Sequence, residues 1–532
     1  TYTERSAAES RFKLYDSYIR AIKWATLRIN DRGIIAFVTN GGFIDSNTAD
    51  GMRKSLVEEF SAIHVFNLRG NQRTAGEQSR KEGGKVFDAG SRATVAITVL
   101  VKDPAHAGPV TIQYADIGDY LTRKQKLFKV KEACKVGGLE TRSIAPNPQG
   151  DWINQRDDRF ANFLPVGSKQ GGDRVFHTYS GGAGSSRDAW VYNSSENKVL
   201  DAIQVSTAWC LAEAARLGSL EPRDRLAAAN RDPSRVSWGA GPERIVMTAE
   251  ATEPSSDFVR PSVYRPFFKQ FHYFDSLWNN RLYQLPRLFP RPSTINPGFY
   301  LHGVFATADF ALLALDAAPC LDLFGKGGSL YTRWRYEGVD EDGSLFDAGA
   351  GEIVEGYRRI DNITDETLGR FQAAYSEAFT KDDIFFYVYG LLHSPDYRET
   401  YAADLKKMLP RIPLVKDAQP FVEAGRSLSE LHLGYESVTP YPLDGLDMAA
   451  PDDETAYDVF RVEKMAFAKQ RDPETKKLVA DKSTVIYNDR ITLSGIPQDA
   501  YRYMLGSRSA IEWIIDRYQV KTDKASGIVN DP

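Results

Sequence analysis

The sequence predicts a fold in two parts: an α/β sheet unit at the start of the chain and a longer α+β region after it. A continuous apolar run at residues 34–40 lies between two amphipathic helical patterns, which is typical of a strand covered on both faces in a parallel sheet. The chain has 532 residues, more than a single core holds, so two or three packing units are expected.

The first 115 residues alternate helical and strand patterns. A helix is predicted for residues 10–30, with these side chains on its inner face: Phe12, Tyr15, Tyr18, Ile19, Ile22, Ala25 and Ile29. After the strand at 34–40, a second helix is predicted to bury Met52, Leu56, Val57 and Phe60. Further strands are predicted at 62–68, 93–101 and 110–114, so that a hairpin with a long loop closes the unit. The following chain supplies one neighbour for the strand at 34–40, and the other is expected upstream of Thr1.

The composition changes between residues 116 and 150. The basic stretch at 123–131 (RKQKLFKVK) and the turn at 146–150 (PNPQG) predict a linker and a domain boundary. Beyond it come a Gly/Ser loop at 180–186, a helix near 195–216, an aromatic-rich block at 264–289, a helix near 365–380 and a strand at 484–487. This mixture predicts an α+β organisation.

Charge and motifs exclude several classes of protein. The net charge of −4 does not indicate nucleic acid, but it leaves local basic patches open. No apolar stretch approaches the roughly 20 residues of a membrane helix, and the three cysteines lack disulfide-framework or zinc spacing. We therefore expect a cytoplasmic protein with no metal site and no membrane segment. The sequence also lacks GxxxxGKS/T, HExxH, GxSxG and a GxGxxG after a strand.

The order of elements in residues 10–101 resembles the later motifs of N6-adenine DNA methyltransferases. The blocks that carry this resemblance are YDSYIRAIKWA, GIIAFVTN, GGFIDS, GMRKSLVEEF, AIHVFNLR and VFDAGSRATVAITVLVK. In that family an aromatic residue before the last strand stacks on the flipped target base, and Phe87 in KVFD matches it. The alternative is that Phe87 is the first inward residue of the strand that follows.

The amino-acid sequence along nearly the whole chain resembles the C-terminal part of type ISP restriction-modification enzymes. The blocks include VTNGGFIDSNTADGMRKSL, YRPFFKQFHYFD, FFYVYGLLHSPDYRETYAADLKKMLPRIPL and DRYQVKTDKASGIVNDP. The resemblance implies the end of a Rossmann-like methyltransferase sheet at 1–115, a basic linker at 116–150 and an α+β target recognition domain at 151–532. It also implies that both ends of the chain are cut.

The resemblance implies cofactors that belong to an intact parent enzyme: S-adenosylmethionine for methylation, and ATP and Mg for its motor and nuclease. Neither the Gly-rich cofactor loop nor an NPPY-type tetrapeptide occurs in the sequence, so no cofactor is expected in this chain. The implied partners are double-stranded DNA and the missing methyltransferase, motor and nuclease regions, with the chain itself monomeric. Two alternatives stay open: a fragment of a solitary adenine methyltransferase, and a non-catalytic scaffold of a phage-defence complex.

Two basic stretches and one short motif are candidates for DNA contact. Phosphate contacts need lysine and arginine, whereas base edges are read by arginine and by the amides of asparagine and glutamine. The candidates are Arg69, Arg73, Lys85 and Arg92 in the first loop, Arg187 after the Gly/Ser loop, and Lys269, Asn279, Asn280, Arg281, Gln284 and Arg287 in the aromatic block. The alternative for the aromatic block is a core strand pair with solvated arginines, and for the first loop a solvated segment.

Overall fold

A computed structural model describes residues 2–8, 11–74, 76–87, 92–304, 309–325, 327–339, 351–446, 451–473 and 476–532. The chain divides into two compact units. Unit 1 comprises Thr1–Phe163, Val304–Asp309 and Pro395–Arg411, and unit 2 comprises Leu164–Gly303, Phe310–Ser394 and Ile412–Pro532.

Unit 1 is built on a five-stranded sheet. Its strands are β1 (Gly33–Asn40), β2 (Ala62–Arg69), β3 (Val95–Lys102), β4 (Thr111–Asp116) and β5 (Arg142–Ile144). The helices up to residue 163 are α1 (Ser17–Thr26), α2 (Asp50–Glu59), α3 (Gly76–Glu82) and α4 (Arg123–Ala133). The strand order is β1-β3-β2-β4-β5, and only β2 and β4 run parallel. The predicted α/β fold with a closing hairpin is therefore present, the hairpin being β2 and β3.

The parallel pairing expected for the strand at 34–40 is wrong. β1 pairs antiparallel with β3 along its whole length, because the hairpin returns β3 between β1 and β2. Ile34 is 69% exposed and Val38 is also exposed, so β1 is not covered on both faces. Among the described residues no strand pairs with its outer edge.

The first two helices bury most of the predicted residues. Ile19 and Ile22 of α1 and Met52 and Leu56 of α2 lie in the main core of unit 1. Phe12 and Tyr15 are exposed, contrary to prediction. They belong to a separate 3-10 turn (Phe12–Tyr15), and Asp16 leaves the helical conformation before α1 begins.

The predicted linker at 116–150 contains helix α4, which folds as part of unit 1. Leu121, Val130 and Leu139 pack against a second small core that includes Leu68 and Val86. The domain boundaries predicted at 115 and 150 stay predictions.

Unit 2 is an α+β assembly of several small sheets. Its strands up to residue 394 are β6 (Leu164–Pro165), β7 (Tyr192–Asn193), β8 (Val259–Arg265), β9 (Phe268–Tyr273), β10 (Gly298–His302), β11 (Leu312–Leu315), β12 (Ala318–Pro319), β13 (Gly328–Thr332), β14 (Trp334–Gly338), β15 (Glu352–Val354) and β16 (Tyr357–Asp361). The helices of this part are α5 (Asp188–Val191), α6 (Glu196–Arg216), α7 (Pro222–Ala228), α8 (Ala240–Thr248), α9 (Leu285–Leu288), α10 (Asp365–Ala374) and α11 (Lys381–His393).

The chain then returns to unit 1 with α12 (Pro395–Thr400) and α13 (Ala402–Leu405), before β17 (Arg411–Ile412). The remaining elements are α14 (Gln419–Leu433), α15 (Asp453–Phe460), β18 (Ala466–Arg471), β19 (Leu478–Ile486), β20 (Thr492–Ser494), β21 (Met504–Leu505), β22 (Arg508–Ser509), α16 (Ala510–Arg517), β23 (Lys521–Thr522) and β24 (Val529–Asn530).

Two cores of unit 2 position its candidate DNA-contacting segment. One collects Leu285, Leu288 and Tyr300 around α9 and β10, and the other collects Ile203 and Trp278 around α6. The main sheets have the orders β12-β8-β9-β7 and β11-β10-β13. The segment that connects β9 to α9 runs between residues buried in these two cores, so both of its ends are fixed.

Candidate nucleic-acid interface

Three strands of unit 1 end at one cavity of about 1020 Å³. Gly41 follows β1, Asn67 lies near the end of β2 and Asp116 ends β4, and all three line the cavity. Ligands of open α/β sheets bind at the carboxyl ends of the strands. The Asn67 side-chain amide donates to the Tyr114 hydroxyl at 3.1 Å, and this hydroxyl donates to Asp116 at 2.9 Å. Burial raises the pKa of Tyr114 to about 12, so this hydroxyl keeps its proton.

Arg69 completes this polar network. Its Nε donates to Asp116 at 2.7 Å, and its guanidinium also pairs with Asp119. The backbone of Arg69 has a φ of 55°, in the left-handed region that few non-glycine residues adopt. In this structure two carboxylates therefore hold the side chain at the cavity and balance its charge.

Phe87 is exposed, whereas its neighbour Val86 is buried. The Phe87 side chain is 49% exposed, and Val86 packs in the small core with Leu68. β3 begins only at Val95, so Phe87 is not the first inward residue of that strand. The exposure suits a stacking surface, and the role in base stacking stays a prediction. Residues 88–91, which include Asp88 of the KVFD motif, lie outside the described residues.

Helix α4 holds the backbone that leads to Phe87. The Lys126 ammonium donates to the carbonyls of Glu82 (2.6 Å) and Gly84 (3.0 Å), and the Lys126 side chain is fully buried. The Gly84 amide donates to the Leu121 carbonyl at 3.2 Å. Gly83 has a φ of 67°, and a Cβ there would lie 2.1 Å from the Leu121 carbonyl oxygen. Lys126 and Leu121 thus hold the backbone that precedes Phe87. We call residues 82–86 the clamped segment.

Arg73 and Arg92 are both exposed, and Arg92 is hydrogen-bonded to Gln72, which precedes Arg73. The backbone amide of Gln72 donates to the Arg92 carbonyl at 2.8 Å, and the Arg92 guanidinium donates to the backbone carbonyl of Gln72 at 3.1 Å. Lys85 is half-buried on the clamped segment. These three basic side chains lie on the same loop as Phe87.

In unit 2 the candidates separate into exposed and buried residues. Asn280, Arg281, Gln284 and Arg287 are exposed, and we call them with Tyr283 the exposed ridge. Leu285 and Leu288 of α9 anchor the ridge in the core.

The other three candidates of unit 2 have internal partners. Arg187 is buried and donates to the Trp278 carbonyl at 2.8 Å. Asn279 is buried as well, and its amide donates to the Tyr273 carbonyl at 2.8 Å. Arg187 and Asn279 thus support the core of unit 2. Lys269 is half-buried and paired with Glu436 at 2.7 Å, so its charge is balanced.

The histidine beside Asn279 is neutral. His272 is buried, and burial lowers its pKa to about 4. The side-chain amide nitrogen of Asn279 donates to two backbone carbonyls, those of Tyr273 and Asp275. The side-chain oxygen of Asn279 therefore accepts from His272 Nε2 at 2.9 Å.

Sequence reasoning missed Lys126, because it lies in a stretch that reads as a basic linker. A signal was present in Thr122 and Gln125, whose spacing is that of a capping box at a helix start. The structure contains this capping box at the start of α4.

Two general features concern only the part of the chain that the structure describes. There, no group of histidine, cysteine, aspartate or glutamate side chains is arranged to hold a metal ion. Within the same ranges, none of the helices combines the length and the hydrophobicity needed to span a bilayer.

Comparison with known proteins gives a family and several solved structures. The model of the Type ISP C-terminal specificity domain matches residues 174–532. The nuclease-deletion mutant of the Type ISP restriction-modification enzyme LlaGI, in complex with a DNA substrate mimic, is 38% identical with a TM-score of 0.81, over 100% of this chain and 46% of that one. The ATP-dependent Type ISP enzyme LlaBIII bound to DNA is 35% identical with a TM-score of 0.81, over 100% and 32%.

The DrdV–DNA complex is 32% identical with a TM-score of 0.79, over 99% of this chain and 50% of that one. The chain thus spans half or less of the length of each of these proteins. No curated protein is matched. The resemblance drawn from the sequence is confirmed: this chain belongs to the Type ISP restriction-modification family and carries its C-terminal specificity domain.

Proposed function

We propose that this chain is the sequence-specific DNA-recognition and base-flipping portion of a Type ISP enzyme that methylates adenine N6 and cleaves unmodified DNA with ATP hydrolysis. The exposed Phe87 on its clamped segment carries the proposal. Family membership supports it, and so do the DNA complexes of LlaGI, LlaBIII and DrdV. Methylation, cleavage and ATP hydrolysis belong to the proposed parent.

Base capture needs a flat side chain next to basic groups. An enzyme that modifies an exocyclic amine takes the base out of the duplex and holds it against aromatic side chains. Phe87 offers such a face, and Lys126 fixes the backbone behind it. The exposed Arg73 and Arg92 of the same loop are suited to the flanking phosphates.

The residues present do not form an S-adenosylmethionine site by themselves. The Gly-rich loop and the NPPY-type tetrapeptide are absent from the sequence, and Asn67, Tyr114, Asp116 and Arg69 at the cavity hydrogen-bond to one another. We therefore assign no step of methyl transfer to this chain. Its proposed work is to bind and orient DNA.

Unit 2 is proposed to read the duplex through the exposed ridge. Arg281 and Arg287 supply cations for phosphates or guanine edges, and Asn280 and Gln284 supply amides that can pair with adenine. Arg187, Asn279 and Lys269 do not enter this proposal, because each is engaged within the protein. The proposed partner is double-stranded DNA.

Selection from a random duplex pool tests this function without knowledge of the site. The 532-residue chain is expected to enrich one motif and to bind it with an affinity that falls steeply with salt. Enrichment of no motif would favour the scaffold alternative, and salt-independent affinity would contradict phosphate contacts.

Phe87→Ala then tests base capture on the enriched motif. With 2-aminopurine in place of each adenine in turn, the wild type is expected to raise emission at one position, and Phe87→Ala to abolish that rise while affinity is kept. Phe128→Ala, which removes another exposed phenylalanine of unit 1, is the matched control and should behave as the wild type. If Phe87→Ala unfolds unit 1, Phe87 is a core residue.

A further inference from the structure

Tyr283 lies on the exposed ridge with a strained backbone. Its φ is 50°, in the left-handed region, which is unfavourable for a residue other than glycine. Leu282 and Leu285 on either side pack into the core, Leu285 completely. This arrangement turns the Tyr283 ring outward and leaves the residue 46% exposed. The fold thus sustains an unfavourable conformation at a residue that adds little to the core.

The Tyr283 ring rests on the backbone of Gly181. A Cβ on Gly181 would lie 3.0 Å from two carbons of the ring, so a larger residue there would push against it. The segment that carries Gly181 is itself bound to the ridge. The backbone amide of Gln284 donates to the Ser180 hydroxyl at 3.1 Å. The ring is therefore supported on one side.

A pair of backbone hydrogen bonds makes this support rigid. The Arg281 and Gly184 amides each donate to the other's carbonyl, at 3.0 and 2.9 Å. The Arg281 side chain is exposed, and the neighbouring Tyr283 hydroxyl raises its pKa. An aromatic ring and a cation are thus presented together. Aromatic rings pack against bases in a sequence-tolerant way and act as wedges at base steps, while arginine binds phosphates.

We propose that Tyr283 contacts DNA bases, its ring packing against one base step while Arg281 binds the neighbouring phosphate. The inference rests on the proposed function, because it takes the ridge as the DNA-reading surface of unit 2. The free energy needed to open a base step for such a ring depends on the sequence of that step, so Tyr283 contributes specificity there. The strained backbone holds the ring in the orientation that the contact needs.

The test uses the full 532-residue chain and the motif that it enriches from a random duplex pool. Tyr283→Ala is expected to weaken binding to that motif about tenfold or more and to lose preference at one step, since stacking on an aromatic side chain is worth about that much per base. Tyr283→Phe keeps the ring and should keep the motif. Gly181→Ala should lower affinity as well, because it displaces the ring. Tyr441→Ala removes another exposed tyrosine of unit 2, 60% exposed, and should bind as the wild type.

The outcomes separate the inference from the proposed function. If the wild type enriches no motif, the proposed function fails. If it does and Tyr283→Ala keeps both motif and affinity, the inference alone is overturned.

Tyr283→Gly is the control that separates a lost DNA contact from a lost fold, because glycine adopts the left-handed conformation without strain. We expect this variant to melt at or above the wild-type temperature and still to lose the preference. Unchanged affinity of the folded Tyr283→Gly protein would equally refute the inference.

Discussion

Lys126→Met is expected to loosen the segment before Phe87 while unit 1 stays folded. Methionine keeps most of the length and apolar character of the lysine stem, so the variant removes chiefly the ammonium group. The carbonyls of Glu82 and Gly84 then lose the donor that they share, at 2.6 and 3.0 Å. No cavity of side-chain size is created.

The expected change in the free energy of opening this segment follows from two opposing contributions. A hydrogen bond from a charged donor is worth about 1.5–3 kcal/mol, and two are lost. Against this, burial lowers the pKa of Lys126, which shows that the buried ammonium is itself destabilised. We expect the net free energy of opening the segment to fall by about 2 kcal/mol, which corresponds to about 30-fold faster amide exchange.

Hydrogen exchange measures this opening directly. The amides of Gly84 and Asn71 report it, because they donate to the Leu121 carbonyl and to the Glu82 carboxylate across the clamp. Lys124→Met on the exposed face of α4 is the matched control and should leave both rates unchanged. Unchanged exchange in Lys126→Met would refute the clamp, and an equal acceleration throughout unit 1 would show that Lys126 supports the whole unit.

Three further outcomes are expected. Arg53→Met should destabilise unit 1 by about 3–5 kcal/mol in urea unfolding, because it breaks a buried pair with Asp151 and removes donors to three backbone carbonyls; a loss below 1 kcal/mol would contradict this. Burial lowers the pKa of His272 and of His432 to about 4, so their neutral forms stabilise unit 2 above about pH 6.5 and that stability falls as the pH drops towards 4. Melting curves from pH 7 to 4 check this, and His432→Gln should flatten the dependence. Ile34→Lys should leave the melting temperature of unit 1 unchanged, because Ile34 is exposed on β1; a clear fall in melting temperature would contradict this exposure.

The first four strands of the unit 1 sheet could be predicted because their apolar runs are local. The run at 34–40 gives β1, and the run at 93–101 gives β3. Pairing direction could not be predicted in the same way, since a continuous apolar run does not encode the direction of its neighbour. The antiparallel β1–β3 pair depends on the return of the chain after β2.

The candidate site shows the same limit at single residues. Asn279 and Asn280 are adjacent and identical in type, yet Asn279 is buried beside His272 and Asn280 is exposed. Arg187 reads as a phosphate ligand after a Gly/Ser loop, but its partner is the carbonyl of Trp278, 91 residues away. Such contacts arise from tertiary packing and leave no periodic signal in the sequence.

The return of residues 395–411 to unit 1 bears on how specificity can be exchanged between relatives. Lys407 in this stretch pairs with Asp151 at 3.1 Å and donates to the Asn154 carbonyl at 2.6 Å, both within unit 1. A graft of the contiguous stretch 174–532 from another family member would therefore import a foreign piece of the first unit. Hybrid proteins should keep the native residues 395–411 or exchange their partners with them, because unit 1 is assembled from stretches that are separate in the sequence.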